Sequence, residues 1–183
     1  MNRTGTYIAF DGLGQSDPSK SDFRYYAMLQ AWSKNTNIDF RFVNSHEKTY
    51  AVRDTSSRET LCARIRQRLS ASKNMLIILS EDTRYTGSVL SYEIQQAIDV
   101  CKIPLIIAYP GYPAIFDLAA LAYMWPKALI ERIDNPGTKA IHIAFQKNPI
   151  LDAINQFTVN HNSLSSGRDY YSQEAYRSWN LVR

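Results

Sequence analysis

Residues 75–79 (MLIIL) form an unbroken apolar run, which is followed by a polar loop and a helical pattern. A run without polar alternation is typical of a strand buried on both faces of a parallel sheet. Parallel strands need crossover connections, which are usually helices. The loop at residues 80–87 is rich in turn-forming residues, and Ser88 is predicted to cap the next helix. The run therefore predicts an α/β protein.

The helix after this loop has one apolar stripe and a carboxylate beside it. The stripe recurs at helical spacing and comprises Leu90, Ile94, Ala97, Ile98 and Cys101. At about 100° per residue, Glu93 lies roughly 85° from the centre of the stripe. We therefore expect Glu93 on the shoulder of the helix, bordering the crevice onto which the preceding loop opens. A glutamate early in a helix more often compensates the helix dipole, so this position alone assigns no function.

The rest of the chain alternates between strand and helix patterns. Strands are predicted at residues 6–10, 38–42, 103–109 and 140–145, and helices at residues 22–35, 56–69 and 148–157. With the strand at 75–79, this order predicts a flavodoxin-like open parallel sheet of five strands in the order 2-1-3-4-5, with helices on both faces. The strand order reverses between the first and third strands, so the binding crevice is expected at their carboxyl ends.

We predict one domain over residues 1–158 and a C-terminal tail over residues 159–183. The tail is polar, but it contains more aromatic residues than disordered segments usually have. These residues are Tyr170, Tyr171, Tyr176 and Trp179. The tail is therefore expected to fold back and dock on the domain.

Composition and charge argue against several classes of protein. The net charge of +4 comes from basic residues spread along the chain, so no nucleic-acid partner is expected. No window approaches the roughly 20 apolar residues of a membrane span, so no membrane partner is expected and a cytoplasmic location is predicted. Two cysteines and three scattered histidines give no ligand spacing, so no metal site is predicted.

One carboxylate at the crevice limits the chemistry that the site can perform. Cleavage of an O-glycoside usually needs two carboxyl groups, because the leaving oxygen must be protonated. Nicotinamide differs, since it leaves NAD as a neutral base and needs no general acid. A lone carboxylate that holds the ribose hydroxyls and stabilises an oxocarbenium-like transition state is then sufficient.

Several segments together resemble one known family. The segment LIILSEDTRYTGSVLSYEI follows RDTSSRETLCARIRQRLSASKN and FRFVNSH, and MWPKALIERID, AIHIAF and FQKNPILDAINQF come later. This ordered set is similar to the TIR-like proteins of the bacterial Thoeris anti-phage system, the ThsB type. The resemblance implies a TIR fold that uses NAD as a substrate and has no cofactor. It also implies a cyclic ADP-ribose-type product that activates a partner effector, and it leaves homo-oligomerisation open.

The resemblance assigns roles to individual residues. The family's catalytic glutamate falls on Glu93, within Ser91-Tyr92-Glu93-Ile94. The substrate-binding residues implied around it are Phe10, Asp11, Asn44, His46, Ser80 and Tyr92. Two positions depart from the family's pattern: Val89 replaces a frequent tryptophan, and the first strand ends in AFDG where many relatives have a serine. A non-catalytic TIR-like interaction module therefore stands as the alternative.

Overall fold

The computed structural model describes residues 3–11, 19, 22–35, 42–43, 58–81, 83 and 88–183. Its strands are β1 (Gly5–Ala9), β2 (Phe42–Val43), β3 (Ser72–Ile78), β4 (Leu105–Tyr109), β5 (Ala140–Ala144) and β6 (Asp169–Tyr170). Its α-helices are α1 (Phe23–Lys34), α2 (Arg58–Ala71), α3 (Ser88–Gln95), α4 (Lys127–Ile130), α5 (Lys147–Gln156) and α6 (Gln173–Ser178). A π-helical segment at Gln96–Cys101 continues α3, and a 3₁₀ helix spans Ala119–Met124.

All six strands are parallel and lie in the order β2-β1-β3-β4-β5-β6. The predicted α/β fold and the order 2-1-3-4-5 of its first five strands are confirmed. The sixth strand was not predicted, because it has only two residues and comes from the C-terminal tail. It pairs with β5, so that Ile141 lies opposite Asp169 and His142 lies opposite Tyr170.

Two apolar cores lie on opposite faces of the sheet. Side chains alternate along β1, so Tyr7 and Ala9 point into the core beneath α2 and α3, whereas Ile8 points into the core beneath α1 and α5. The predicted strand at 75–79 is buried throughout, as a central strand of a parallel sheet must be. Every residue of the predicted stripe on α3 and its continuation is buried as well.

The C-terminal tail packs on the domain through its aromatic residues. Tyr176 of α6 is fully buried, and its hydroxyl accepts a hydrogen bond from the backbone N–H of Ala144 at the end of β5, at 3.2 Å. The hydroxyl of Tyr171 donates to Asp152 of α5 at 2.5 Å, and its ring meets that of Trp179 edge-on. Among the described residues, no helix is long and apolar enough to cross a membrane.

Candidate functional site

A hydrogen bond between β1 and α3 forms the centre of the candidate site. Tyr7 lies in the middle of β1 and points toward α3, where Glu93 occupies the second turn. The Tyr7 hydroxyl donates to Oε1 of Glu93 at 2.5 Å. Tyr7 is 1% exposed and Glu93 is 3% exposed, so the pair is almost completely shielded from solvent.

The expected position of Glu93 on the shoulder of the helix was wrong, because the structure buries this side chain. Apolar residues that flank it, Leu90 and Ile94, belong to the same core as Tyr7. The buried arc of α3 is therefore wider than the stripe alone indicates. The Tyr7 hydroxyl supplies a polar partner inside this core, and a buried carboxyl group needs such a partner.

Burial controls the electrostatics of this pair. The pKa of Glu93 is raised to about 8: burial is the main cause, the hydrogen bond from Tyr7 opposes the shift, and the nearby charge of Asp11 adds to it. Burial also raises the pKa of the Tyr7 hydroxyl well above its ordinary value, as does the carboxyl group of Glu93. At neutral pH, Glu93 is therefore largely protonated. Groups that titrate close to working pH inside a protein are frequent at active sites.

Phe10 and Asp11 directly follow β1, but the structure places their side chains in different surroundings. Phe10 lies on the opposite face of the sheet from Glu93, where its ring stacks on Tyr26 with centroids 4.9 Å apart. Its ring also meets Phe23 edge-on. Asp11 is partly exposed and close enough to Glu93 to influence its pKa. Of these two predicted residues, Asp11 is therefore the one that lies near the Glu93 carboxyl group.

Ser80 belongs to a buried polar network just after β3. Its backbone N–H donates to Oγ1 of Thr83 at 2.8 Å, and the Thr83 hydroxyl donates to Oδ2 of Asp22 at 2.8 Å. All three residues are buried. The network links the loop that follows β3 to the start of α1, so Ser80 helps to shape the edge of the sheet where the crevice was predicted.

Of the remaining predicted site residues, one contacts α2 and two lie outside the residues that the structure describes. Tyr92 is half-buried, and loss of solvent raises the pKa of its hydroxyl, which lies beside Cys62 and Arg66 of α2. Tyr92 therefore faces α2. Asn44 and His46 lie outside the described residues. Within the ranges that the structure describes, no group of three or more histidine, cysteine, aspartate or glutamate side chains could hold a metal ion.

Sequence analysis missed three polar residues of this region: Tyr7, Asp22 and Thr83. Tyr7 sits in an apolar strand pattern, where an aromatic residue is expected to pack rather than to hydrogen-bond. Its partner is 86 residues away in the chain. Side chains alternate between the two faces of the sheet along β1, so the sequence alone places Tyr7 and Phe10 on opposite faces. It indicates that Tyr7 and Phe10 cannot both face Glu93.

The family comparison covers the part of the chain that contains this pair. The family model for the TIR-like domain of the Thoeris protein ThsB matches residues 7–114, more than half of the 183-residue chain. The chain belongs to this family. The match begins at Tyr7 and includes Glu93, so the hydrogen-bonded pair lies within the ThsB TIR-like domain. It ends before β5, so the last two strands and the tail lie beyond it. The resemblance seen in the sequence is thereby confirmed.

Proposed function

We propose that this ThsB-family chain cleaves the bond between nicotinamide and ribose in NAD. An adenine nitrogen or a ribose hydroxyl of the same molecule then forms a bond to the anomeric carbon with loss of a proton. The product is a cyclic ADP-ribose-type nucleotide, which activates an effector protein in cytoplasmic anti-phage defence. The observation that supports this proposal is the Glu93 carboxyl group, buried on α3 with a hydrogen bond from Tyr7 and a pKa raised to about 8. Family membership supports the class of reaction.

The chemistry follows from the charge of the substrate. The nicotinamide ring of NAD is cationic and departs as a neutral base, so the enzyme has no leaving group to protonate. The ionised carboxylate of Glu93 stabilises the positive charge that develops on the ribose, and it orients the ribose hydroxyls. A bound cation favours the ionised form of a neighbouring carboxyl group. Substrate binding therefore lowers the pKa of Glu93 and releases its proton.

Glu93→Gln tests this proposal, because it keeps the shape of the side chain and removes its charge. We expect NAD cleavage to fall about a hundredfold or more, which corresponds to a loss of roughly 3 kcal/mol or more of transition-state stabilisation. NAD affinity should weaken by less than about tenfold. Mass spectrometry of the products, calorimetric titration with NAD and thermal melting measure the three quantities.

Glu59→Gln is the matched control, since Glu59 is an exposed glutamate in the first turn of α2. It should leave NAD cleavage unchanged. If Glu93→Gln cleaves NAD within a few-fold of the wild-type rate, Glu93 is not the catalytic carboxylate.

The second candidate function is a non-catalytic TIR-like module that binds other proteins. A carboxyl group that stays protonated in the core would also serve a purely structural role, and Val89, 45% exposed at the start of α3, departs from the family's pattern. This candidate predicts no NAD consumption by the concentrated wild-type protein from pH 7 to 9, either alone or with extract from phage-infected cells. Sustained NAD loss in any of these conditions, absent with Glu93→Gln, would exclude it.

A further inference from the structure

We infer that Tyr7 is a positioning residue for Glu93: its hydroxyl fixes the carboxyl group and stabilises the ionised form that the reaction requires. This inference rests on the proposed function and adds a second residue to it. Tyr7 itself is not assigned any contact with NAD.

The backbone around Tyr7 is held on both sides. In the sheet, Tyr7 lies opposite Val43 of β2 and Met75 of β3. Its ring is buried in the core beneath α2 and α3, so the ring has little freedom to move. The hydroxyl that meets Glu93 is therefore positioned by a strand rather than by a loop, and rigid elements hold functional groups most accurately.

The direction of the hydrogen bond determines its effect. Tyr7 donates to Oε1 of Glu93, and a donor stabilises a carboxylate more than a neutral carboxyl group. Two charged residues in the described elements around the pair shift its pKa values. Asp11, after β1, disfavours ionisation of Glu93, and Arg68 of α2 lowers the pKa of Tyr7. The residues that β3 contributes to this core, such as Met75, are apolar. Tyr7 thus favours the charged form of Glu93.

Tyr7→Phe removes the hydroxyl and keeps the ring. Without the donor, the pKa of Glu93 rises, so the pH dependence of kcat/KM for NAD moves to higher pH. A shift of about one pH unit gives a roughly tenfold loss of kcat/KM at pH 7 and a loss of no more than about twofold at pH 9.5. Loss of packing alone would reduce the rate at all pH values and would not move the profile.

Tyr109→Phe is the matched control. Tyr109 is also fully buried, lies on the same face of the sheet and makes a hydrogen bond through its hydroxyl, but that bond goes to His142. Its replacement removes the same atom two strands away from Tyr7. It should lower the melting temperature and leave the pH profile of kcat/KM in place.

A second measurement follows the ionisation of Glu93 directly and does not depend on enzyme activity. The chain has six glutamates, so protein labelled with ¹³C at the glutamate carboxyl gives six resonances, and Glu93→Gln identifies the one that belongs to Glu93. Its titration midpoint should be higher in Tyr7→Phe than in the wild type. Incorporation of 3-fluorotyrosine at position 7 keeps the shape and makes the hydroxyl a stronger donor, so the midpoint should fall. This opposite shift tests the inference even if Tyr7→Phe folds poorly.

The outcomes separate this inference from the proposed function. An inactive Glu93→Gln together with an unchanged Glu93 midpoint and pH profile in the position 7 variants would overturn the role of Tyr7 and leave the proposed function standing. A fully active Glu93→Gln would overturn both. Shifts in opposite directions for Tyr7→Phe and 3-fluorotyrosine, seen in both the resonance and kcat/KM, support the inference.

Discussion

Two buried titratable residues on the same face of the sheet have shifted pKa values, and each hydrogen-bonds to a tyrosine of a strand. Glu93 pairs with Tyr7 of β1, and His142 of β5 pairs with Tyr109 of β4. Burial is the main cause of both shifts: it raises the pKa of Glu93 to about 8 and lowers that of His142 to about 4. Both side chains are therefore mainly neutral at pH 7, because a dry interior penalises charge of either sign.

The two pairs differ in how completely their hydrogen bonds are satisfied. The backbone oxygen of Gly167 accepts from Nε2 of His142 at 3.0 Å, so Nδ1 must accept from the Tyr109 hydroxyl, at 2.7 Å. The indole of Trp125 donates to that same hydroxyl at 2.8 Å. Glu93, by contrast, has Tyr7 as its one hydrogen-bond partner within the part of the chain that the structure describes.

This difference indicates different roles for the two pairs. Three hydrogen bonds in series run from Trp125 through Tyr109 and His142 to Gly167 and use both ring nitrogens of His142. They connect the sheet to the tail and leave neither nitrogen unpaired. A fully satisfied buried network gives rigidity and leaves no group to act on a substrate. In the Glu93 pair, Tyr7 engages one of the two carboxyl oxygens. The second oxygen is the atom that we propose acts on the ribose of NAD.

The largest expected effect on stability comes from Gly167→Ala, which disrupts the His142 pair at its end. A Cβ at residue 167 would lie 2.0 Å from the backbone oxygen of Ile133, so the tail and Ile133 must move apart. We expect a loss of about 3 kcal/mol, or roughly 6 to 12 °C in melting temperature. Chemical denaturation and calorimetry measure the loss.

Gly137→Ala is the control for this steric argument, because a Cβ there meets no atom within 4 Å. Its φ of +88° still strains an alanine, by about 1 kcal/mol. Equal losses for the two variants would show that close approach to Ile133 is not the cause.

The next effect is on stability at alkaline pH and concerns the Glu93 pair. Since the pKa of Glu93 is higher in the folded state than in the unfolded chain, its contribution to stability is fully present below about pH 4.3 and is lost as the pH rises through about 8. We expect the wild-type melting temperature to fall between pH 6 and 9, and Glu93→Gln to reduce that fall. Glu59→Gln should leave the slope unchanged. A Glu93→Gln slope as steep as that of the wild type would mean that Glu93 ionises freely in the folded protein.

The smallest effect is on stability at acid pH and concerns the His142 pair. The pKa of His142 is lower in the folded state than in the unfolded chain, so its contribution is present above about pH 6.5 and is lost as the pH falls through about 4. His142→Gln should flatten the decrease in melting temperature between pH 7 and 4.5. His161→Gln, at an exposed histidine, should not. If both variants have the same slope, other groups cause the acid sensitivity.

Much of the fold was predictable because it depends on local patterns. The buried strand at 75–79, the stripe that includes Leu90 and Ile94, and the alternation of strands and helices each follow from residue periodicity over a few turns. Right-handed crossovers between parallel strands then restrict the strand order to few choices. The two-residue strand β6 escaped prediction, because a strand of that length has no periodicity to detect.

Local sequence patterns were enough to predict the α/β fold, the order of the first five strands and the position of Glu93 on α3. Three features depend on how distant parts of the chain pack together: the burial of Glu93, its hydrogen bond from Tyr7 and the connection that His142 makes between β5 and the tail. These hydrogen bonds join residues 86 and 25 positions apart, so they depend on strand order and on which face of each strand turns inward. The pKa of each group then follows from its burial, which is a property of the packed core and not of the local sequence.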